Sequence, residues 1–320
     1  MEALEIGKEP PFMTVLQLHG VLPIVQTPFD DQLHIDWSTL RRELEWAFAQ
    51  GIHGFGTGMV SEVRTLTPEE RREYAERLVE YTAGRGPMFM SVTADTVQES
   101  LQLALDGAAA GCSAVMAAPP LQESLDAEGL VRYFSDLADA IPMTVIVQDA
   151  SGYLGDSIPH SVYLRLLAQY DTQKIVFKPE APPNGPSISA LRDATQGQAR
   201  IFEGSGGIYL IDSMRRGVAG TMPGMEMIDG VVAIWNAIRC GDDETAYRIH
   251  LPMASIVALQ MQAGLDGFLA IEKYLLRKRG IFVNERRRDP VRWSIDLETA
   301  QEVDRLFERM QREIASARRP

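Results

Sequence analysis

Cysteine, histidine, lysine and long apolar runs are all scarce in this chain of 320 residues. Its two cysteines, Cys112 and Cys240, suggest neither a disulfide framework nor a metal cluster of the usual spacing, and they suit a reducing compartment. The histidines (His19, His34, His53, His160, His250) are scattered without an HxxxH or HExxH pair, so no metal site is expected. No apolar run approaches the roughly 18 residues that a membrane span needs. The N-terminus carries Glu2, Glu5, Glu9, Pro10 and Pro11 in place of a basic segment and an apolar stretch, so no signal peptide is expected. Together these absences predict a cytoplasmic protein without a membrane partner. Basic charge is short as well. The formal net charge of −13 argues against nucleic acid, whose phosphates need a basic surface. It does not argue against a small anionic substrate, because backbone amides and helix ends hold carboxylates inside acidic proteins.

What is present is an alternation. Apolar runs at residues 21–25, 54–58, 88–92, 114–117, 144–147, 175–178, 200–203 and 219–222 are too short for helices and read as strands. Helical patterns lie between them. Thr67-Pro68-Glu69-Glu70 and Thr96-Val97-Gln98-Glu99 are capping boxes, and Asp36 and Asp126 are further N-cap candidates. Gly51, Gly84 and Gly111 stand where helices should stop. Eight strands alternating with helices predict an α/β fold, a (β/α)₈ TIM barrel, with a doubly wound open sheet as the rival. After Cys240 only helical patterns remain, at residues 243–263, 265–279 and 296–317. The expected organisation is an N-terminal extension (1–19), a barrel (20–240) and a C-terminal helical appendage (241–320).

Within this frame Lys178 stands out. The chain has five lysines against twenty-six arginines, and Lys8, Lys174, Lys273 and Lys278 sit in polar surroundings where a solvated side chain is expected. Lys178 instead ends the apolar run Ile175-Val176-Phe177. Desolvation there favours the neutral amine that attacks carbonyls, and the competing reading is a strand-end lysine paired with Glu180. Gln148 and Asp149 follow another buried run and are expected at the same mouth. Gly56-Thr57-Gly58-Met59-Val60-Ser61 superficially resembles a dinucleotide fingerprint, but its third glycine is Ser61 and the next helix opens only at Thr67. The segment is better read as a nest of amides for a carboxylate, or as a plain tight turn. Glu203-Gly204-Ser205-Gly206-Gly207, expected to open a helix at Ile208, is either an anion-holding loop or a glycine turn. Gly220-Thr221-Met222-Pro223-Gly224 closes the eighth run beside it.

These residues resemble the dihydrodipicolinate synthase and N-acetylneuraminate lyase family of Schiff-base (β/α)₈ enzymes over nearly the whole chain. Gly20 to Phe29, ending in Thr27-Pro28-Phe29, resembles the family's opening strand. Gly58-Met59-Val60-Ser61-Glu62 with Thr65-Leu66-Thr67-Pro68-Glu69-Glu70-Arg71 is similar to its Gly-Thr-Thr-Gly-Glu signature and the helix start that follows. Phe177-Lys178-Pro179-Glu180 falls where the family carries its imine-forming lysine. The departures are informative. The family's Thr-Thr pair is Met59-Val60 here, its catalytic tyrosine falls at Ile146 or Val147, and the interface tyrosine falls at Pro120 or Leu121. The synthase's arginine is absent, with Gly152 or Tyr153 near its place. Gln148-Asp149-Ala150 and Lys178-Pro179-Glu180-Ala181-Pro182 resemble the 2-keto-3-deoxy sugar-acid dehydratase branch instead.

The resemblance implies a lyase acting on a small-molecule 2-oxo acid without metal or organic cofactor, assembled as a homo-oligomer, a tetramer in the family. Lys178, Glu180 and Asp149 are the expected catalytic residues. Met59, Val60, Ser61, Gln148, Ser205, Gly206 and Thr221 are the expected substrate contacts. Dehydration of a 2-keto-3-deoxy sugar acid, pyruvate-dependent aldol cleavage and a catalytically silent barrel that binds 2-oxo acids all stay open at this point.

Overall fold

The computed structural model describes residues 17–317, so most of the N-terminal extension and Lys8 lie outside the described residues. Strands and helices alternate as β1 Gly20–Val21, α1 Trp37–Gln50, β2 Phe55–Gly56, α2 Pro68–Thr82, β3 Met88–Ser91, α3 Val97–Ala110, β4 Ala114–Ala117 and α4 Ala127–Ala140. They continue as β5 Thr144–Asp149, α5 His160–Gln169, β6 Ile175–Pro179, α6 Asn184–Ala194, β7 Phe202–Glu203, α7 Leu210–Arg215, β8 Gly220–Thr221 and α8 Ile228–Arg239. Three further helices follow: α9 Asp243–Met261, α10 Gly264–Lys278 and α11 Leu297–Ala317.

The helices start where local chemistry supplies partners for their free amides. Thr67 and Thr96 build reciprocal capping boxes with Glu70 and Glu99, while Asp36 and Asp126 cap α1 and α4. Gly51 and Gly111 end α1 and α3 in the left-handed region, at φ 93° and 86°. The stop of α2 falls one residue earlier than expected: Ala83 is the cap at φ 47°, and Gly84 follows at 74°.

The strand order settles the choice between barrel and open sheet. Strands β2 to β6 pair in parallel sequence, as do β7, β8 and β1. Parallel bridges at Ile24–Gly56 and Phe177–Ile201 join the two sets into a closed barrel. The regular ladder between the first and last strands pairs only Gly20 with Gly220 and Val21 with Thr221. Bonds from Ile24 N to Pro223 O (2.7 Å) and from Gly56 N to Pro23 O (2.9 Å) carry the closure past it.

Side chains alternate across each strand. Ile24, Met116, Ile146, Val176, Phe202 and Met222 share one buried cluster that fills the barrel. Val145, Val147, Ile175 and Phe177 point outward into a second cluster shared with the surrounding helices. Ile249, Met253, Val303 and Met310, from α9 and α11, belong to that outer cluster too. The C-terminal helices therefore share the hydrophobic core of the barrel helices. Among the described residues no helix is long and apolar enough to cross a membrane.

Lys273 departs from expectation. It is fully buried (0% exposed), donating to Glu62 and, at 2.6 Å, to the carbonyl of Arg286, with Phe29 stacked beneath its ammonium. Its polar sequence neighbours gave no hint of this, because the partner carboxylate lies on a distant loop.

Candidate active site

The period-two alternation that fills the barrel also builds the mouth. Two residues beyond Ile146, Val176, Phe202 and Met222 on the same faces come Gln148, Lys178, Gly204 and Gly224, at the C-terminal ends of the strands. They line a pocket of about 210 Å³, roofed by residues of α9 and α10 such as Met261, Leu265 and Phe268.

Lys178 lies at the floor, 3% exposed. Its Nζ is 3.3 Å from Glu180 Oε1. Register pairs Gln148 with Lys178 across β5 and β6, and Gln148 Nε2 donates to Glu180 Oε2 at 2.5 Å. The hydroxyl of Tyr153 donates to the same Oε2 at 3.2 Å. Although Tyr153 is 42% exposed as a residue, its hydroxyl reaches inward to Glu180. Burial pushes the Glu180 carboxyl up, against the pull of Lys178, and Glu203 nearby adds to the rise. Burial, with Glu180 beside it, also pushes Tyr153 well above the ordinary phenol range, so this hydroxyl keeps its proton. The result is a lysine, a carboxyl of raised proton affinity and a phenol in one hydrogen-bonded chain. Gly204 makes room for it: a Cβ there would overlap Cε of Lys178 and stand 2.6 Å from Glu180 Oε1.

Of the expected site residues, Lys178, Glu180, Gln148, Met59, Val60, Ser205 and Gly206 line the pocket. Asp149 does not, because it is one residue past Gln148 and points the other way. Its carboxylate accepts from Ser151 N and Ile158 N, both at 3.0 Å, and supports the loop after β5. Ser61 is likewise committed, since its Oγ donates to Val25 O at 2.5 Å and its amide to Gly58 O at 3.0 Å. Thr221 Oγ1 donates to Glu203 Oε2 at 2.5 Å beneath the pocket. Glu203 also accepts from the amide and hydroxyl of Ser205, fixing the glycine turn. The helix expected at Ile208 begins at Leu210 and is six residues long, so this loop is a turn held by Glu203 rather than a helix N-terminus.

Sequence reasoning missed Tyr153 as a site residue, and also Glu272, which α10 brings to the pocket. Tyr153 was legible in part, as the only tyrosine in the loop 150–159 between β5 and α5. Ile146 and Val147, where the family tyrosine falls, are 0% exposed in the strand itself. The phenol thus comes from the following loop instead of from the strand. Glu272 left no signal, since its helix is distant in sequence. Among the described residues, Lys178 is the only lysine, arginine or histidine lining the pocket.

Comparison with known proteins identifies the family. The L-2-keto-3-deoxyarabonate dehydratase of Azospirillum brasilense is 26% identical over 280 residues, covering 85% of this chain and 88% of the relative. The 4-hydroxy-tetrahydrodipicolinate synthase of Bartonella quintana (strain Toulouse) is 33% identical over 136 residues, 42% of this chain and 46% of its own. The crystal structure of dihydrodipicolinate synthase from Rhodopseudomonas palustris superposes with a TM-score of 0.82 at 26% identity, covering 92% of this chain and 99% of that one. The model of the dihydrodipicolinate synthetase family matches residues 17–310, and the chain belongs to that family of lyases.

Proposed function

We propose that this chain is a Schiff-base lyase that dehydrates a 2-keto-3-deoxy sugar acid through Lys178. The observation that carries the reading is the grouping of Lys178, Glu180, Gln148 and Tyr153 at the floor of a pocket with no second cation among the described residues. Such a pocket suits one carboxylate and an uncharged tail. The substrate carboxylate rests on the opening amides of the 3₁₀ turn Met59–Ser61, those of Met59 and Val60. The Oε1 of Gln148, buried without a partner among the described residues, accepts from a substrate hydroxyl.

Glu180 takes a proton from the Lys178 ammonium across 3.3 Å. The amine adds to the C2 ketone, and the carbinolamine hydroxyl leaves as water on receiving that proton back from Glu180, which gives an iminium and a free carboxylate. That iminium withdraws electrons from C3, so a C3 proton passes to the Glu180 carboxylate and an enamine forms. The enamine pair expels the C4 hydroxyl, which departs as water on receiving a proton from the Glu180–Tyr153 pair. Tautomerisation and hydrolysis of the conjugated iminium then restore Lys178. From a 2-keto-3-deoxypentonate the net products are one water and a 2,5-dioxo acid. The dehydratase of Azospirillum brasilense, similar over most of both chains, supports this route.

Aldol cleavage is the second reading, and Tyr153 is what favours it. Breaking C3–C4 requires a group that receives the C4 hydroxyl proton, and the Tyr153–Glu180 pair supplies one although the strand tyrosine is gone. The test is borohydride trapping with pyruvate and with a 2-keto-3-deoxypentonate, peptide mass mapping, and product analysis. A reduced adduct on Lys178 with a 2,5-dioxo acid as product is the expected result. Pyruvate plus an aldehyde would move the assignment to aldolase, and an unlabelled Lys178 would remove the imine.

Gly204→Ala offers an independent check. The added methyl overlaps Lys178 and crowds Glu180, and turnover is expected to fall about 100-fold in a protein that a melting curve shows to be folded. A fully active Gly204→Ala protein would mean that the Lys178–Glu180 contact does not set the rate.

A further inference from the structure

Glu272 lines the substrate pocket yet is only 1% exposed. Its Oε2 accepts from Gln26 Nε2 at 2.8 Å, while its Oε1 has no hydrogen-bond partner among the described residues. Glu226 lies beside it, 3% exposed. The Oε1 of Glu226 accepts from Gln260 Nε2 at 2.8 Å, and its Oε2 is buried without a partner among the described residues. Both free oxygens lie against Gly224, itself part of the pocket wall. A Cβ at Gly224 would overlap Glu226 Oε2 and stand 2.6 Å from Glu272 Oε1. The missing side chain leaves Glu272, which lines the pocket, with Glu226 Oε2 buried directly behind Gly224 at the same spot.

Among the described residues the cations nearby are already committed. Lys273 is paired with Glu62, and Arg279 with Asp229. Burial, together with Glu226 beside it, pushes the Glu272 carboxyl well above the ordinary carboxylate range, and burial raises Glu226 as well. A buried acid that keeps its proton is a hydrogen-bond donor as well as an acceptor, and a buried donor left unpaired is costly.

We propose that Glu272 Oε1 and Glu226 Oε2 bind a hydroxyl on the substrate's tail, one giving it a hydrogen bond and the other receiving one. An alcohol donates, accepts and carries no charge, so it matches both oxygens. A carboxylate would find no free cation there among the described residues. This subsite rests on the imine chemistry proposed for Lys178, and it assigns the residues that hold the hydroxyl beyond the leaving group at C4.

The experiment compares 2-keto-3-deoxypentonate with 2-oxo-4-hydroxypentanoate, which keeps the C4 hydroxyl and lacks the one at C5. Wild type is expected to favour the hydroxylated compound by about 30-fold in kcat/KM, with most of the difference in KM. Glu272→Leu brings the two compounds within roughly 3-fold of each other, and Glu272→Gln, which keeps an amide donor, retains part of the preference. Trapping of pyruvate on Lys178, a ligand without a tail, reports whether each variant folds and builds the imine site. Wild type that traps pyruvate but turns over both compounds equally overturns the subsite, whatever the variants do. A Glu272→Leu protein that traps pyruvate and keeps the full preference overturns it as well. Wild type that traps no pyruvate overturns the Lys178 chemistry first, and the subsite falls with it.

Discussion

Replacing Lys178 with alanine is expected to lower kcat/KM for a 2-oxo acid by at least about 10⁴-fold, on the order of 5 kcal/mol of transition-state stabilisation. Without the amine there is no iminium, and the C3 proton must then be removed from an ordinary ketone. No neighbouring group takes over. The described lysines other than Lys178 are Lys174, Lys273 and Lys278, and none of them lines the pocket. Lys174 is tied to the carbonyls of Ile141 and Met143, and Lys273 to Glu62. The fold should survive the change. Glu180, pushed up by burial, can hold its proton once the cation is gone, and Gln148 and Tyr153 still bond to it. Steady-state kinetics, intact-protein mass after borohydride and a melting curve measure all three consequences. A folded Lys178→Ala protein with more than a tenth of wild-type activity would refute the role.

Lys273→Ala is expected to produce the largest loss of stability among single substitutions near the site, about 3–5 kcal/mol. Its ammonium is the cation for Glu62, which is 4% exposed and whose Oε2 also accepts from Arg288 N at 3.2 Å. Removing the lysine strands that carboxylate and frees the carbonyl of Arg286. It also removes a cation 4.6 Å from the Phe29 ring. Burial pulls the Lys273 pKa down and Glu62 opposes the shift, so the pair stands or falls together. The double substitution Glu62→Gln with Lys273→Met should therefore recover much of the loss, because replacing a buried pair costs less than breaking one. Urea denaturation of the three proteins gives the comparison. Equal stability of wild type and Lys273→Ala would show that the pair contributes nothing to the fold.

The Lys273 bridge also bears on the site. Glu62 directly follows the turn Met59–Ser61 that is proposed to receive the substrate carboxylate, and Arg286 and Arg288 belong to the segment after α10. One buried ammonium thus connects the β2 loop to the C-terminal part of the chain.

The amino-acid sequence by itself determined the alternation of strands and helices, most helix boundaries and the placement of Lys178 at a strand end, while closure of the sheet into a barrel was decided by the strand order. The first three follow from short-range rules. Capping boxes and left-handed glycines act within a few residues, and strand alternation fixes which side chains face inward once an apolar run is found. The same alternation separates Gln148 from Asp149, and a stricter application of it would have turned Asp149 away from the pocket. Only the tertiary structure decided which hydroxyls and carboxyls are free to act. Ser61 and Thr221 looked available and are committed to Val25 O and Glu203, partners distant in sequence. Lys273 looked solvated and is buried for the same reason. Glu226 and Glu272 meet at Gly224 only because α10 folds back over the barrel mouth. Whether a polar group is spent or free depends on what packs against it, and that is a property of distant segments brought together.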